Sequence, residues 1–141
     1  VEDFPIHDMT LEEAQTIFKP EFLRQLKKML INGNLGDFVT ARDGLAIVEY
    51  FLKCNPNLYI EISTNGSAKP KIWEPLGRLG VTVNFRLEGL EDTHHLYRQY
   101  TDFNLIIDNA RKFISAGGWA EWYMILFDFT TYVSNEAKHV I

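Results

Sequence analysis

At 141 residues and 46% hydrophobic, the chain can bury one core and reads as a single domain, 1–141, or a piece of one. Its net charge of −5 offers no basic stripe to neutralise phosphates, which excludes a general nucleic-acid binder, and no apolar run approaches the ~20 residues that cross a bilayer. A single cysteine excludes an internal disulfide framework, and with no signal peptide in view a soluble cytoplasmic protein is expected.

Thr10-Leu11-Glu12-Glu13 is a capping box, and behind it Leu11, Ala14, Ile17 and Phe18 share one face of a predicted helix. Pro20 suits the first turn of a second short helix carrying Phe22, Leu23 and Leu26. Met29-Leu30-Ile31 is a candidate for a short buried strand. Thr40 is expected to start the next helix, with Asp43 in its first turn and Leu45, Val48, Phe51 and Leu52 facing inward. Asn55-Pro56-Asn57 is a turn. Residues 58–62 alternate as a strand does, with Leu58, Ile60 and Ile62 on one side. A helix over 71–79 closes at Gly80, and a strand over 81–87 turns Val81, Val83, Phe85 and Leu87 to one face. Thr101 or Asp102 caps a long helix bearing Phe103, Ile106, Ile107, Ala110, Phe113 and Ile114, which Gly117-Gly118 end. The last strand is expected over 121–127, and Ser134 caps the start of one more helix.

Helices and strands in alternation imply a parallel sheet with right-handed crossovers. Four strands are too few for a closed barrel. The first helix has no strand before it, the last has no body, and the chain opens at Val1 rather than Met. The expected fold is therefore α/β: a partial (β/α) barrel of parallel strands with crossover helices, truncated at both ends. Four polar clusters fall where strands should stop, namely 33–37, 63–66, 88–92 and 128–130. In such folds the loops at the carboxyl ends of the strands gather on one face and bind the ligand.

Those clusters carry a resemblance. Asn32-Gly33-Asn34-Leu35-Gly36-Asp37 resembles the second-strand glycine-glycine-acid motif of the radical S-adenosylmethionine (radical SAM) superfamily, and Ile62-Ser63-Thr64-Asn65-Gly66 is similar to its third-strand S/T-N-G motif. Phe85-Arg86-Leu87-Glu88-Gly89-Leu90 looks like its F-S-I/L-D-G-L segment, and Thr93-His94-His95-Leu96-Tyr97-Arg98 like the continuation that ends in H-x-x-Y-R. The stretch from Thr101-Asp102-Phe103 to Ala116-Gly117-Gly118 resembles the helix that follows. Five weak motifs in order make a specific match. The resemblance implies that S-adenosylmethionine (SAM) binds beside a [4Fe–4S] cluster and yields a 5′-deoxyadenosyl radical that abstracts a substrate hydrogen. The cofactor-binding candidates it marks are Gly33, Asn34, Gly36, Asp37, Ser63, Asn65, Glu88 and Arg98. Gly36 and Asp37 would lie by the SAM amino group, Ser63, Asn65 and Glu88 by the ribose, Arg98 by the carboxylate, and residues 127–129 by the adenine.

The departures count as well. The superfamily holds its cluster with C-x-x-x-C-x-x-C after the first strand, and this chain has only Cys54, at a helix end. Phe38 stands in place of a proline, and Glu88 in place of the commoner aspartate. The reading is a core fragment without its cluster loop, catalytically silent by itself, with no catalytic residue and no metal ligand assigned. His94 and His95 read as surface or hydrogen-bonding residues, and Arg98 has Asp92 as an alternative partner. Trp73, Trp119 and Trp122 read as packing. A small-molecule or peptide substrate is implied, and the loop after the fourth strand is similar to that of SPASM or twitch-type enzymes. Two alternatives stand beside this. One is a cluster-free remnant acting as an interaction module, self-associating through exposed sheet edges. The other is a magnesium-dependent βα-barrel enzyme with Asp37, Glu88 and Asp128 at successive strand ends.

Overall fold

Residues 7–33 and 36–127 are described by the structure, a computed structural model. Asn34, the 128–130 cluster and the helix start at Ser134 lie outside the described residues. Helix α1 (Leu11–Ile17) begins at the expected capping box, with Thr10 Oγ1 accepting from the Glu13 amide at 3.2 Å and Glu13 Oε2 from the Thr10 amide at 2.8 Å. Ala14 is buried, while Ile17, expected on the same face, is exposed. The single turn α2 (Pro20–Leu23) seats Leu23 in the core.

Strand β1 (Lys28–Asn32) corrects the expectation of a buried strand. It is an edge, with Met29 and Ile31 packed on the core and Leu30 53% exposed on the other face. The next helix also starts later than expected. Thr40 ends a 3-10 turn, Phe38–Thr40, and α3 (Gly44–Cys54) begins after Asp43. The Asp43 carboxylate accepts instead from the Leu11 amide at 3.0 Å, which ties the starts of α1 and α3 together. Backbone bonding there holds its pKa below the usual aspartate value.

Strand β2 (Tyr59–Thr64), a 3-10 turn (Pro70–Ile72) and α4 (Trp73–Arg78) follow, then β3 (Thr82–Arg86), a 3-10 turn (His94–Leu96), α5 (Phe103–Ser115) and β4 (Trp119–Tyr123). Strand β4 lies nearer α5 than the expected 121–127. Gly117, at φ +103°, ends the helix so abruptly that the Trp119 amide already reaches the Val81 carbonyl at 3.1 Å. Beyond Tyr123 the chain leaves the ladder, and the Ile125 amide turns to Glu88 instead.

All the pairings are parallel, in the order β1-β2-β3-β4, with Asn32 beside Ser63, Ser63 beside Asn84 and Arg86 beside Tyr123. Chain order equals spatial order, without the reversal of a doubly wound sheet, so the fold is the expected α/β partial barrel. Ile60, Ile62, Val83 and Phe85 face the helices, where Trp73, Phe85 and Phe113 pack with centroids 5.2 to 6.4 Å apart. The alternate residues turn the other way, where Lys28, Glu61, Asn84, Arg86 and Glu121 share a face with Leu30, Tyr59, Trp119 and Tyr123. Lys28 Nζ and Asn84 Nδ2 both bond the Glu61 carboxylate there, each at 2.6 Å.

Candidate functional site

The loop after β1 is fastened to the end of β2 by one carboxylate. Asp37 Oδ2 accepts from Thr64 Oγ1 and from the Asn65 amide, each at 2.8 Å, and Oδ1 accepts from the Val39 amide at 3.3 Å. Asp37 thereby caps the 3-10 turn and brings two glycine-containing loops side by side. Gly33 is required by close approach, since a Cβ there would run into the Gly36 carbonyl. A Cβ at Gly36 would meet no atom within 4 Å among the described residues beyond its chain neighbours. Room is therefore left next to the Gly36 backbone.

The 63–66 loop folds through two side-chain turns. Thr64 Oγ1 accepts from the Gly66 amide at 3.0 Å, and Asn65 Oδ1 from the Ser67 amide at 2.8 Å. Gly66 sits at φ +75°, with Ile106 Cγ2 2.6 Å from where a Cβ would be. From α5 the fully buried Asn109 donates to the Gly66 carbonyl at 2.8 Å and the Ala68 carbonyl at 3.0 Å. That clamp was missed in the sequence, although a polar residue inside the stripe of Ile106, Ala110 and Phe113 was its signal.

Beyond β3, Glu88 is buried at 1% exposure and fully engaged: Oε1 accepts from Arg98 Nη2 at 2.9 Å and Oε2 from the Ile125 amide at 2.6 Å. Arg98 thus pairs with Glu88, and the suggested partner Asp92 accepts from Thr93 instead. His94 is buried rather than at the surface. Its Nδ1 accepts from the Glu88 amide at 3.3 Å, which leaves Nε2–H to donate to Thr101 Oγ1 at 2.9 Å, and Thr101 donates onward to the Arg98 carbonyl at 3.0 Å. Burial, and then the Arg98 charge, push the His94 pKa below the ordinary histidine value. Neutral His94 is thus a strut that holds Glu88 and Arg98 in place.

These loops enclose one cavity of about 520 Å³ at the carboxyl ends of β1 to β3. Gly33, Gly36, Asp37, Ser63, Asn65, Glu88 and Arg98 all line it, as do Asn32, Thr64, Arg86 and Ile125. Its size falls in the range of roughly 300–1,000 Å³ common for small-molecule sites. Phe127 stacks on Tyr97 at 4.9 Å between centroids, and its companions 128–129 lie outside the described residues. Cys54 lies at the carboxyl end of α3, hence on the opposite rim of the sheet. Among the described residues no group of three His, Cys, Asp or Glu side chains is arranged to hold a metal ion.

The fold is similar to that of solved structures. One is anSMEcpe with AdoMet bound, at TM-score 0.67 and 20% identity, matched over 99% of this chain and 39% of that one. Another is anSMEcpe with AdoMet and the Kp18Cys peptide, at TM-score 0.63 and 18% identity, over 92% and 37%. The likeness shows the fold, a partial α/β barrel of parallel strands. The chain spans well under half the length of the structures it matches. No protein-family model and no curated protein matches it. No helix among the described residues is long and apolar enough to cross a membrane.

Proposed function

We propose that the chain is the nucleoside-binding core of a radical SAM enzyme and that the cavity between β1 and β3 takes S-adenosylmethionine. One observation carries this reading: residues from four separate motifs of the resemblance line a single cavity. The donor set suits the ligand. The space beside Gly36 admits a close backbone approach, Ser63 and Asn65 offer hydroxyl and amide groups for a ribose, and the Arg86 guanidinium is open to a carboxylate while Arg98 is already paired with Glu88. Both anSMEcpe structures hold AdoMet, which supports the same choice.

The cluster is another matter. A [4Fe–4S] centre of this kind needs three thiolates, and the chain supplies one, on the far rim. These side chains do not fit it, so binding and positioning of the nucleoside are the functions assigned. A magnesium site gains no support, since the carboxylates of Asp37 and Glu88 are both taken up by internal hydrogen bonds.

Calorimetric titration with S-adenosylhomocysteine tests the reading. Wild-type chain is expected to bind. Gly36→Val, whose Cβ would have no atom within 4 Å among the described residues beyond its chain neighbours, keeps the fold and loses affinity by at least about tenfold. No binding by the wild-type chain, or equal binding by Gly36→Val, overturns the proposal. A second reading, self-association, draws on Leu30 and Trp119, which are 53% and 68% exposed on the two edge strands. Sedimentation velocity showing only monomer at high concentration removes it.

A further inference from the structure

The cavity holds two guanidinium groups in opposite electrostatic states. Arg98 is matched by the buried Glu88. Arg86 has no acidic oxygen within 4.0 Å among the described residues. It closes β3 on the face of the sheet away from the helices and lines the cavity from there. Its Cζ lies 4.9 Å from the centroid of the Tyr123 ring, and its Nη2 donates to Ser63 Oγ at 3.3 Å. Stacking and a neutral hydroxyl fix the direction of the group without neutralising its charge. Because Ser63 Oγ acts as acceptor toward Arg86, its own proton is free to point into the cavity, beside the remaining guanidinium N–H groups.

The resemblance does not account for this residue. The F-S-I/L-D-G-L segment carries a small hydroxyl side chain at the position where Phe85-Arg86-Leu87-Glu88 has arginine. An unmatched cation of this kind, half-buried and held rigidly by two neighbours, lacks only an anion.

We infer that Arg86 and the Ser63 hydroxyl form an anion-reading pair that binds a carboxylate or phosphate group of a molecule occupying the cavity. The location rests on the nucleoside reading above; the chemistry of the pair does not. Two sources can supply the anion: the amino-acid carboxylate of the nucleoside itself, or a second, anionic substrate lying on that same face of the sheet.

Two measurements on the intact chain decide. In the first, arginine side-chain Nε–H signals of ¹⁵N-labelled protein are followed while sodium acetate or inorganic phosphate replaces chloride at constant ionic strength. A saturable shift of the Arg86 signal, assigned from its loss in Arg86→Met, is expected, with the Arg98 signal unmoved. In the second, S-adenosylhomocysteine is compared with 5′-methylthioadenosine, which lacks the carboxylate. A wild-type preference of about tenfold or more for the former, falling below about threefold in Arg86→Met, names the nucleoside as the source. An unchanged preference, with the acetate and phosphate response abolished, names a second substrate. Absence of any saturable Arg86 shift, together with an unchanged preference in Arg86→Met, overturns the inference. If wild type binds neither nucleoside and the shift persists, the nucleoside reading falls and the anion pair stands. Should Arg86→Met not fold, Arg86→Lys supplies the assignment, and the wild-type titration needs no variant.

Discussion

Asp37 joins two loops whose residues are nearly thirty positions apart, and its removal tests how far the cavity depends on that joint. Asp37→Ala leaves the buried Thr64 hydroxyl and the Asn65 amide short of an acceptor, and a loss of about 2–3 kcal/mol in urea unfolding is expected. Thr64→Ser keeps the hydroxyl that bonds both Asp37 and the Gly66 amide and loses only a methyl group, with an expected cost of about 1 kcal/mol. Equal losses from the two variants would mean that the carboxylate does not act as the joint. His94 gives a second prediction at this scale, and the direction of its shift fixes the sign. Its folded pKa is lowered, by burial first and then by the Arg98 charge, with His95 acting the same way and Glu88 opposing. Between the folded value and the unfolded value near 6.5 the unfolded state binds more protons, so stability rises with pH across that window. The contribution is fully present above about pH 6.5 and is lost on acidification toward the folded value. Thermal unfolding followed between about pH 5 and 8 should show this slope in wild type and a flatter one in His94→Gln. At this scale the sequence singled out residues that the fold gathers around one cavity, because Asp, Glu and Arg at strand ends are unusual. It withheld their partners: Glu88 and Arg98 are ten positions apart across a turn whose geometry no local pattern encodes.

Helix and strand identities were legible because apolar periodicity and caps are local signals, as Thr10 and Asp102 show. What failed was local in another way. Thr40 looks like a helix start, yet Asp37 caps a 3-10 turn first and the helix waits for Gly44. The apolar run 124–127 reads as strand, but the Glu88 carboxylate captures the Ile125 amide and ends the pairing at Tyr123. Long-range competition of this kind decides element ends. The 63–66 loop is the element where it matters most for the site, because α5 holds it through Asn109. Asn109→Leu should cost about 2–3 kcal/mol by leaving the Gly66 carbonyl without its donor, and it should loosen Ser63 and Asn65 at the cavity wall. Faster amide exchange over residues 63–68 than over β3 is the signature that separates this from general destabilisation. A variant whose loop exchanges no faster than its strands would show that Asn109 contributes packing alone.

On the scale of the whole molecule, the sheet divides two kinds of work between its faces and its two rims. The helix face supplies stability through Trp73, Phe85 and Phe113, the other face mixes polar side chains with exposed Leu30, Trp119 and Tyr123, and the cavity-lining groups gather at the rim where the strands end. The alternation of helix and strand foretold that rim. That other face went unread because a pattern such as Lys28, Leu30, Asn32 on β1 acquires meaning only beside Glu61 and Asn84 on its neighbours. Cys54 belongs to the opposite rim, where it packs beside Tyr50 against the core. That separation gives an expectation about the two halves of the chemistry. Cys54→Ser should leave S-adenosylhomocysteine affinity within about twofold of wild type, since the thiol is not among the described residues lining the strand-end cavity, and should cost at most about 1 kcal/mol of stability. Anaerobic incubation of the isolated wild-type chain with ferrous iron, sulfide and reductant should likewise leave no cluster absorbance after desalting, because one thiolate cannot hold a site that takes three. Cluster retention that disappears in Cys54→Ser would reverse this division, making the thiol a ligand and placing the redox chemistry on the rim that the cavity does not occupy.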